Sequence, residues 1–374
     1  MTTSRVTPVS HGIERRVFLR RCGETVVYLL CGCGSRKRKF APVVGATSAE
    51  RAVHAARQFS GMSLNVGWEG GLQAHGLMQF AAPLWEELTG IRINIVEMGS
   101  PMDQLRRVKA EHRAGTSALD CAAIAPTWVP GLVGDEALEP LDDYVAHYMV
   151  PRDLDDYLPL YRTLGLSGGR QYGLFDDGDT LLLYYRKDLF DDASIQKDFA
   201  AMHGRPLGDP RAYDWRQFID VAQFFTEKYA PDLYGLAPLT RELCWACFEY
   251  RLRVEGGQFF DRESMNPGVD SPAGLRALTQ VKEMMRVMAP MGATEPLLTA
   301  SLGSFLSGRS AMAIFWPPLG RWAEQGVPHT KAFGFLPSSQ VVGKTGYALL
   351  PDGMSQMAVG FVLSVLARSQ RKEA

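Results

Sequence analysis

Residues 170–190 read RQYGLFDDGDTLLLYYRKDLF. Asp176, Asp177, Asp179 and Asp188 surround the apolar run Leu181–Tyr185, in a chain of 374 residues whose formal net charge is −1. Acids beside a buried-looking strand point either to a catalytic carboxylate pair or to a pocket for something rich in hydroxyls. The near-neutral balance gives no electrostatic footprint for nucleic acid. No run approaches the 18 or so apolar residues that would cross a bilayer.

On the N-terminal side of this stretch the pattern is regular. SLNVGW (63–68) reads as a strand. GLMQFAAPLWEELTG (76–90) sets Met78, Phe80, Leu84, Trp85 and Leu88 at largely helical spacing and closes on Gly90. RINIVEM (92–98) alternates as a second strand, PMDQLRRVKAEHRAG (101–115) is a charged amphipathic helix, and LDCAAIAPTWV (119–129) is a buried strand. Strand–helix–strand–helix–strand at this rhythm predicts a parallel sheet with helices on its faces. Residues 136–165 read as short helical pieces broken by Pro140, Pro151 and Pro159.

On the C-terminal side, DWRQFIDVAQFFTEKYAP (214–231) is a helix capped by Asp214, and YGLAPL (234–239) is strand-like. Two helices, a helix–turn–strand (SLGSFLSGRSAMAIFWPP) and short closing strands follow. With 46% hydrophobic residues the chain holds enough apolar material for two domains or one large one.

The front is different. ERRVFLRR (14–21) resembles a twin-arginine export motif, carried by Arg15, Arg16, Phe18, Leu19 and Arg20; the alternative is a basic amphipathic stub. The apolar segment Thr25–Cys33 behind it is short. Cys33 sits in a loose lipoprotein box, and Thr47-Ser48-Ala49 could serve as a peptidase site. Residues 1–60 are therefore expected to be an atypical leader, with the mature protein periplasmic by twin-arginine export or lipid anchoring. Of the six cysteines, Cys244 and Cys247 have redox or zinc spacing. They stand in RELCWACFEYRLR with no second pair or nearby His pair to complete a metal set, and read as helix cysteines.

Four motifs in order carry a family resemblance. A Tyr-Gly pair, two acids two residues apart and a closing Tyr-x-Lys-Asp-Leu-Phe stand as Arg170–Phe190, with Phe175 where proline is usual. YDWRQF (213–218), GGQFFD (256–261) and FLSGRSAMAIFW (305–316) follow. From about residue 62 onward the chain resembles extracellular solute-binding proteins that feed ABC importers for sugars, the maltose- and multiple-sugar-binding type. The resemblance implies a periplasmic-binding-protein type II α/β fold: two α/β lobes, a hinge and an interlobe ligand cleft. On that basis residues 62–175 with about 296–350 are expected to form the first lobe. Residues 176–295 with about 351–374 are expected to form the second.

The same resemblance implies a monomeric solute-binding subunit that delivers ligand to a membrane permease, with no cofactor, no metal and no catalytic residue. Sugars offer hydroxyls to carboxylates and C–H faces to aromatic rings. The implied contacts are Asp179 on the crossing strand, Trp128 and Trp316 as stacking positions, and Arg241 and Trp245 on the second lobe. Glu69, where the first strand ends, would face the cleft with Gly70 and Gly71 beside it. The plainer alternatives are interlobe packing for Trp128 and Trp316 and a solvated loop for Glu69. Trp68 and Trp85 read as core, Asp176 and Asp177 as turn or hinge residues, and Asp188 as a helix cap. Other readings are a binder of polyol phosphates or polyamines, a thiol–disulfide protein, and a truncated, non-binding remnant. The last follows from the family's further helices, which are expected after VGFVLSVLARSQRKEA.

Overall fold

The computed structural model describes residues 40–70, 72–261, 263–290, 297–325, 336–354 and 359–374. Arg15, Arg16 and the first three cysteines lie outside these. Residues Pro42–Ala374 form one compact unit, built on two mixed sheets.

The strands that matter come in chain order as β1 (Ser63–Trp68), β2 (Arg92–Glu97), β3 (Cys121–Ile124), and the two-residue pair β4 (Leu166–Ser167) and β5 (Arg170–Gln171). There follow β6 (Leu174–Asp179), β7 (Leu182–Arg186), β8 (Tyr234–Leu236), β9 (Ser310–Phe315), β10 (Thr345–Ala348) and β11 (Val359–Val365). The first sheet has the order β2-β1-β3-β11-β6, the second β10-β7-β9-β8. β1 runs parallel to β2 and β3, while β11 runs antiparallel between β3 and β6. In the second sheet β7 is antiparallel to β9 and β10, and β8 is parallel to β9.

Helix boundaries follow the local chemistry. Helix α1 (Ser48–Ala56) starts at Thr47 and α2 (Ala82–Thr89) ends on Gly90 in the left-handed region. Helix α3 (Pro101–Ala114) starts on a Ser100–Asp103 capping box and ends on Gly115. Helix α4 (Trp215–Tyr229) starts on a reciprocal Asp214–Gln217 box. Its inner face puts Phe218, Phe224 and Phe225, all fully buried, into a core with Leu183, Met312 and Ile314 of the second sheet. The first sheet has a smaller cluster on each face. Ile124 and Val362 join Val108 and Leu132 in one, and Ala123 and Phe361 join Val66 and Trp68 in the other. That division follows the period-2 alternation of β3 and β11.

Three expectations are corrected here. The late segments are exchanged: β9 and β10, within 296–350, belong to the second sheet, and β11, within 351–374, belongs to the first. The chain crosses between sheets twice, from β6 to β7 and back from β10 to β11. The span 1–60 expected to be leader includes folded residues, the helix Ser48–Ala56 among them. Thr47 is a helix cap rather than a free processing site, and Ser48 donates from its backbone N and its Oγ to Asp153 Oδ2 (2.8 and 2.7 Å). Asp188 does not cap: it takes a bidentate pair from Arg186 (2.7 and 2.6 Å).

Helices α5 (Arg241–Val254) and α6 (Pro272–Arg286) cover the second sheet and hold the return crossing. Arg251, 2% exposed, donates to Gln280 Oε1 (2.7 Å) and to Asp352 in the turn Pro351–Gly353. Its guanidinium lies over Trp215 and Tyr250, 4.7 and 5.3 Å from the ring centres. Cys247 is buried and Cys244 half-buried on α5, neither in a disulfide, and burial pushes the Cys247 thiol far up. These are helix cysteines of the kind the sequence suggested.

Candidate functional site

The registers fix which strand ends meet. In the first sheet Trp68, Ile124 and Asp179 end β1, β3 and β6 on one edge, because Val359, where β11 starts, lies opposite Asp179. In the second sheet Leu182, the start of β7, lies opposite Phe315, the end of β9; β8 and β10 end toward the same side. The link Thr180–Leu181 therefore joins the carboxyl edges of two sheets. In open α/β sheets that is where ligands are held, since the loops leaving strand ends converge there.

Glu69 follows β1 directly, Trp128 closes the 3-10 turn Pro126–Trp128 after β3, and Asp179 is the last residue of β6. Trp316 follows β9, and Arg241 opens α5 a few residues after β8. Only the backbone of Arg241 is described. Trp128 is half-buried against the Val129–Leu132 core of the first lobe, and Trp316 is half-buried against the second. The Trp316 carbonyl accepts from Tyr184 Oη (3.1 Å), while its own Nε1 is buried with no partner among the described residues. Trp245 stands one turn into α5, 55% exposed. No described contact joins it to the acids.

Glu69 and Asp179 do come together, with Asp177 as a third acid. The Asp179 carboxyl is pushed up to about 7, first by burial, then by the charges of Asp177 and Glu69. Asp176 is pushed to about 6 by burial of its carboxyl end and by Asp177; with the residue as a whole exposed, water offsets part of this. The pairing of β6 with β11 shifts register between Phe361 and Val362, leaving one extra residue on β6 at Asp176. Gly360, paired with Gly178, has φ +137°, and a Cβ there would stand 1.8 Å from the Asp177 carbonyl oxygen. Only glycine lets β11 close on the acid strand there. Behind the strand, Tyr161 and Tyr157 pack on Phe175 (4.6 and 5.4 Å between centres), and Tyr161 Oη donates to the Asp179 carbonyl (3.4 Å).

The sequence reading treated Asp177 as a turn or hinge residue; its place two residues before Asp179 on an extended strand was the signal that both acids share one face. What the set can do follows from its charges. Ionised, it accepts several hydrogen bonds from hydroxyls. Half protonated near neutral pH, Asp179 also donates one. Among the described residues no group of three His, Cys, Asp or Glu is arranged to hold a metal ion. A cavity of about 880 Å³ lies elsewhere, between α4 and α6. Its lining mixes Arg216, Asp220, Glu227, Arg276 and Glu283 and includes none of the strand-edge residues, so it does not compete as the site.

Known proteins were compared with this architecture. A family profile described as bacterial extracellular solute-binding protein matches residues 71–374. A putative binding protein of Brucella abortus is 25% identical over 252 residues, which is 66% of this chain and 55% of the relative. The chain thus spans little more than half the length of the curated relatives it matches. A ribitol-bound ABC transporter solute-binding protein from Agrobacterium radiobacter superposes with a TM-score of 0.67 at 21% identity, over 84% of this chain and 73% of that one. Maltose-bound MalE3 of T. maritima gives 0.64 at 21%, over 83% and 74%. The two-lobed fold of type II periplasmic-binding proteins is shared with both.

Proposed function

The chain belongs to the bacterial extracellular solute-binding protein family, and on that footing we propose that it is the solute-binding subunit of an ABC importer. It holds a sugar, polyol or oligosaccharide between its lobes and presents it to a membrane permease. The observation that carries this reading is the convergence of Glu69, Asp177 and Asp179 where the carboxyl edges of both sheets meet. Carboxylates there accept from neighbouring hydroxyls, and Trp128 and Trp316, which follow β3 and β9, would serve as ring platforms. Hinging at the two crossings would close the lobes over the ligand. Ribitol, mannitol, tagatose and maltose are bound by the structural neighbours, which supports a hydroxyl-rich ligand here. Export to the periplasm, guided by Arg15 and Arg16, belongs to the same proposal. Among the described residues no helix is long and apolar enough to cross a membrane.

The proposed activity is binding without catalysis. A raised carboxyl beside a second carboxylate is also what a glycosidase uses, so sugar release from an oligosaccharide would overturn this part. A second reading has one observation in its favour: Asp179, raised by burial and by the charges of Asp177 and Glu69, would gain with them from a cationic amine, as in a polyamine.

The test is a set of thermal melts of the full chain against mono- and oligosaccharides, polyols, glycerol phosphates and polyamines. A ligand at a hundred times its Kd adds about 2.7 kcal/mol, a shift of a few degrees at this size. A selective sugar or polyol shift, lost in Asp179→Ala and Trp128→Ala, is the expected result. A shift with spermidine alone would favour the second reading. No shift with any solute would sink both.

A further inference from the structure

The edge of the first sheet opposite the acids carries a second, unrelated cluster. β11 starts across from Asp179 and ends at Val365, across from Cys121, where β3 begins. From there the chain runs on beside residues 135–138, with Ala367 N donating to the Ala137 carbonyl (2.9 Å). A cavity of about 260 Å³ opens at this junction. Lys109, His112 and Arg113 of α3 line it together with Asp135, Ala137 and Arg368. That is three cations and an imidazole against one carboxylate. A small void lined by the same His112, Ala137 and Arg368 reaches down to Val108, Leu119 and Leu366, all buried. Charges beside such low-dielectric packing are screened less than on an open surface.

Cations in the last turns of a helix are expected, since they face its free carbonyls. Two observations go beyond that. The first is that the neighbouring acids are already engaged. Asp135 pairs with Lys109 (3.1 Å), Glu111 with Arg107 (3.0 Å) and the Leu119 backbone (3.2 Å), and Glu139 with Lys372 (2.7 Å). Arg113 and Arg368 are left with no ion pair among the described residues. Arg368 is held at the cavity nonetheless, because the buried Ser369 next to it bonds to Asp120 (2.6 Å). The second observation is His112 Nδ1, a buried nitrogen with no hydrogen-bond partner among the described residues. Two guanidinium forks and an imidazole around one opening make a donor set for a compact anion.

We propose that Arg113, Arg368 and His112, with Lys109 beside them, form a binding site for a doubly charged oxyanion of phosphate size, either the free ion or a phosphomonoester. Bound there, it fastens α3, the turn at 135–138 and the segment after β11 to one another. The site stands apart from the cleft and is independent of the solute held there.

Isothermal titration of the full chain with sodium phosphate, sodium sulfate and glycerol 3-phosphate tests it, at an ionic strength held constant with sodium chloride. The expected result is one saturable site for phosphate, shared by the other two anions and weakened at least ~tenfold in Arg113→Ala and in Arg368→Ala. Both side chains are exposed, so both variants are expected to melt in chloride as the parent does, and to keep the parent's affinity for any cleft solute. Flotation with vesicles containing phosphatidic acid separates the two sources of the phosphate. Retention on the vesicles that depends on Arg113 and Arg368 assigns a lipid headgroup, and binding of the dissolved anions alone assigns a free ion. No saturable phosphate binding would overturn the site. Phosphate binding that survives both arginine variants would do so as well, since the anion would then sit elsewhere, as would chloride competing on equal terms.

Discussion

At the scale of single residues, Asp179 is where the fold stores an electrostatic cost. Its carboxyl is raised from the ordinary 3.8 to about 7. Between these values the native state holds a proton that the unfolded chain has released, so stability falls as pH rises through that window and levels off above it. Asp179→Asn removes this slope. The variant should match the parent near pH 4 and exceed it at pH 8, by an amount on the order of a few kcal/mol at most. Asp176, also raised, leaves a shallower slope behind. Urea melts from pH 4 to pH 8 give the answer, and parallel curves for the two proteins would refute it. That Asp179 stands at the end of a strand entering the crossing was legible from the family pattern counted back from Lys187-Asp188. Its protonation was not, because it follows first from burial of the carboxyl at the folded sheet edge; of the two charges that add to it, Glu69 lies more than a hundred positions away. Trp245 shows the reverse case. It was legible as an aromatic near the second lobe, but the ring it stacks on, Phe259, comes from beyond the end of the helix and gives no local sign of pairing.

At the scale of elements, most boundaries were legible locally, the cap assigned to Asp188 being the exception. The Asp214 cap, the glycine stops after α2 and α3, and the short strands around them are set by neighbours in sequence. The assignment of late strands to sheets failed for a physical reason. Ser310–Phe315 is buried on both faces, and most described side chains of Val359–Val365 are buried as well. Neither strand shows an alternation that would say which sheet receives it. Packing between elements is set by contacts of the same hidden kind. Gly235 of β8 lies against α4, where a Cβ would stand 1.8 Å from the Ala222 carbonyl oxygen. Backbone on both sides leaves nothing flexible to yield. Gly235→Ala should therefore cost ~3 kcal/mol or more, lowering the urea midpoint at unchanged slope. A midpoint equal to the parent's would show that strand and helix can separate without penalty.

At the scale of the whole molecule, the first lobe is tied together by one buried acid. Asp120, 1% exposed, accepts from the Asn65 backbone (2.9 Å), from Ser369 Oγ (2.6 Å) and from the Arg371 guanidinium (2.9 Å). It links β1, the approach to β3 and the segment after β11. Asp120→Ala leaves a guanidinium and a backbone donor without their acceptor, at a cost of about 3–5 kcal/mol. Calorimetry should show the main transition moved well down, with Asp120→Asn intermediate. A variant that melts with the parent would mean that the segment after β11 adds nothing to the lobe.

The place of β11 has a consequence in time. It is the inner strand between β3 and β6, yet a ribosome makes it after every other strand of both sheets. Until it emerges, β3 and β6 face each other across an empty slot with unsatisfied backbone groups, and the acid edge has no floor. The first lobe therefore cannot set until β11 has emerged, whereas the second, whose strands run in sequence from β7 to β10, can set earlier. A nascent chain of this design stays loose at its leading end until β11 takes its place.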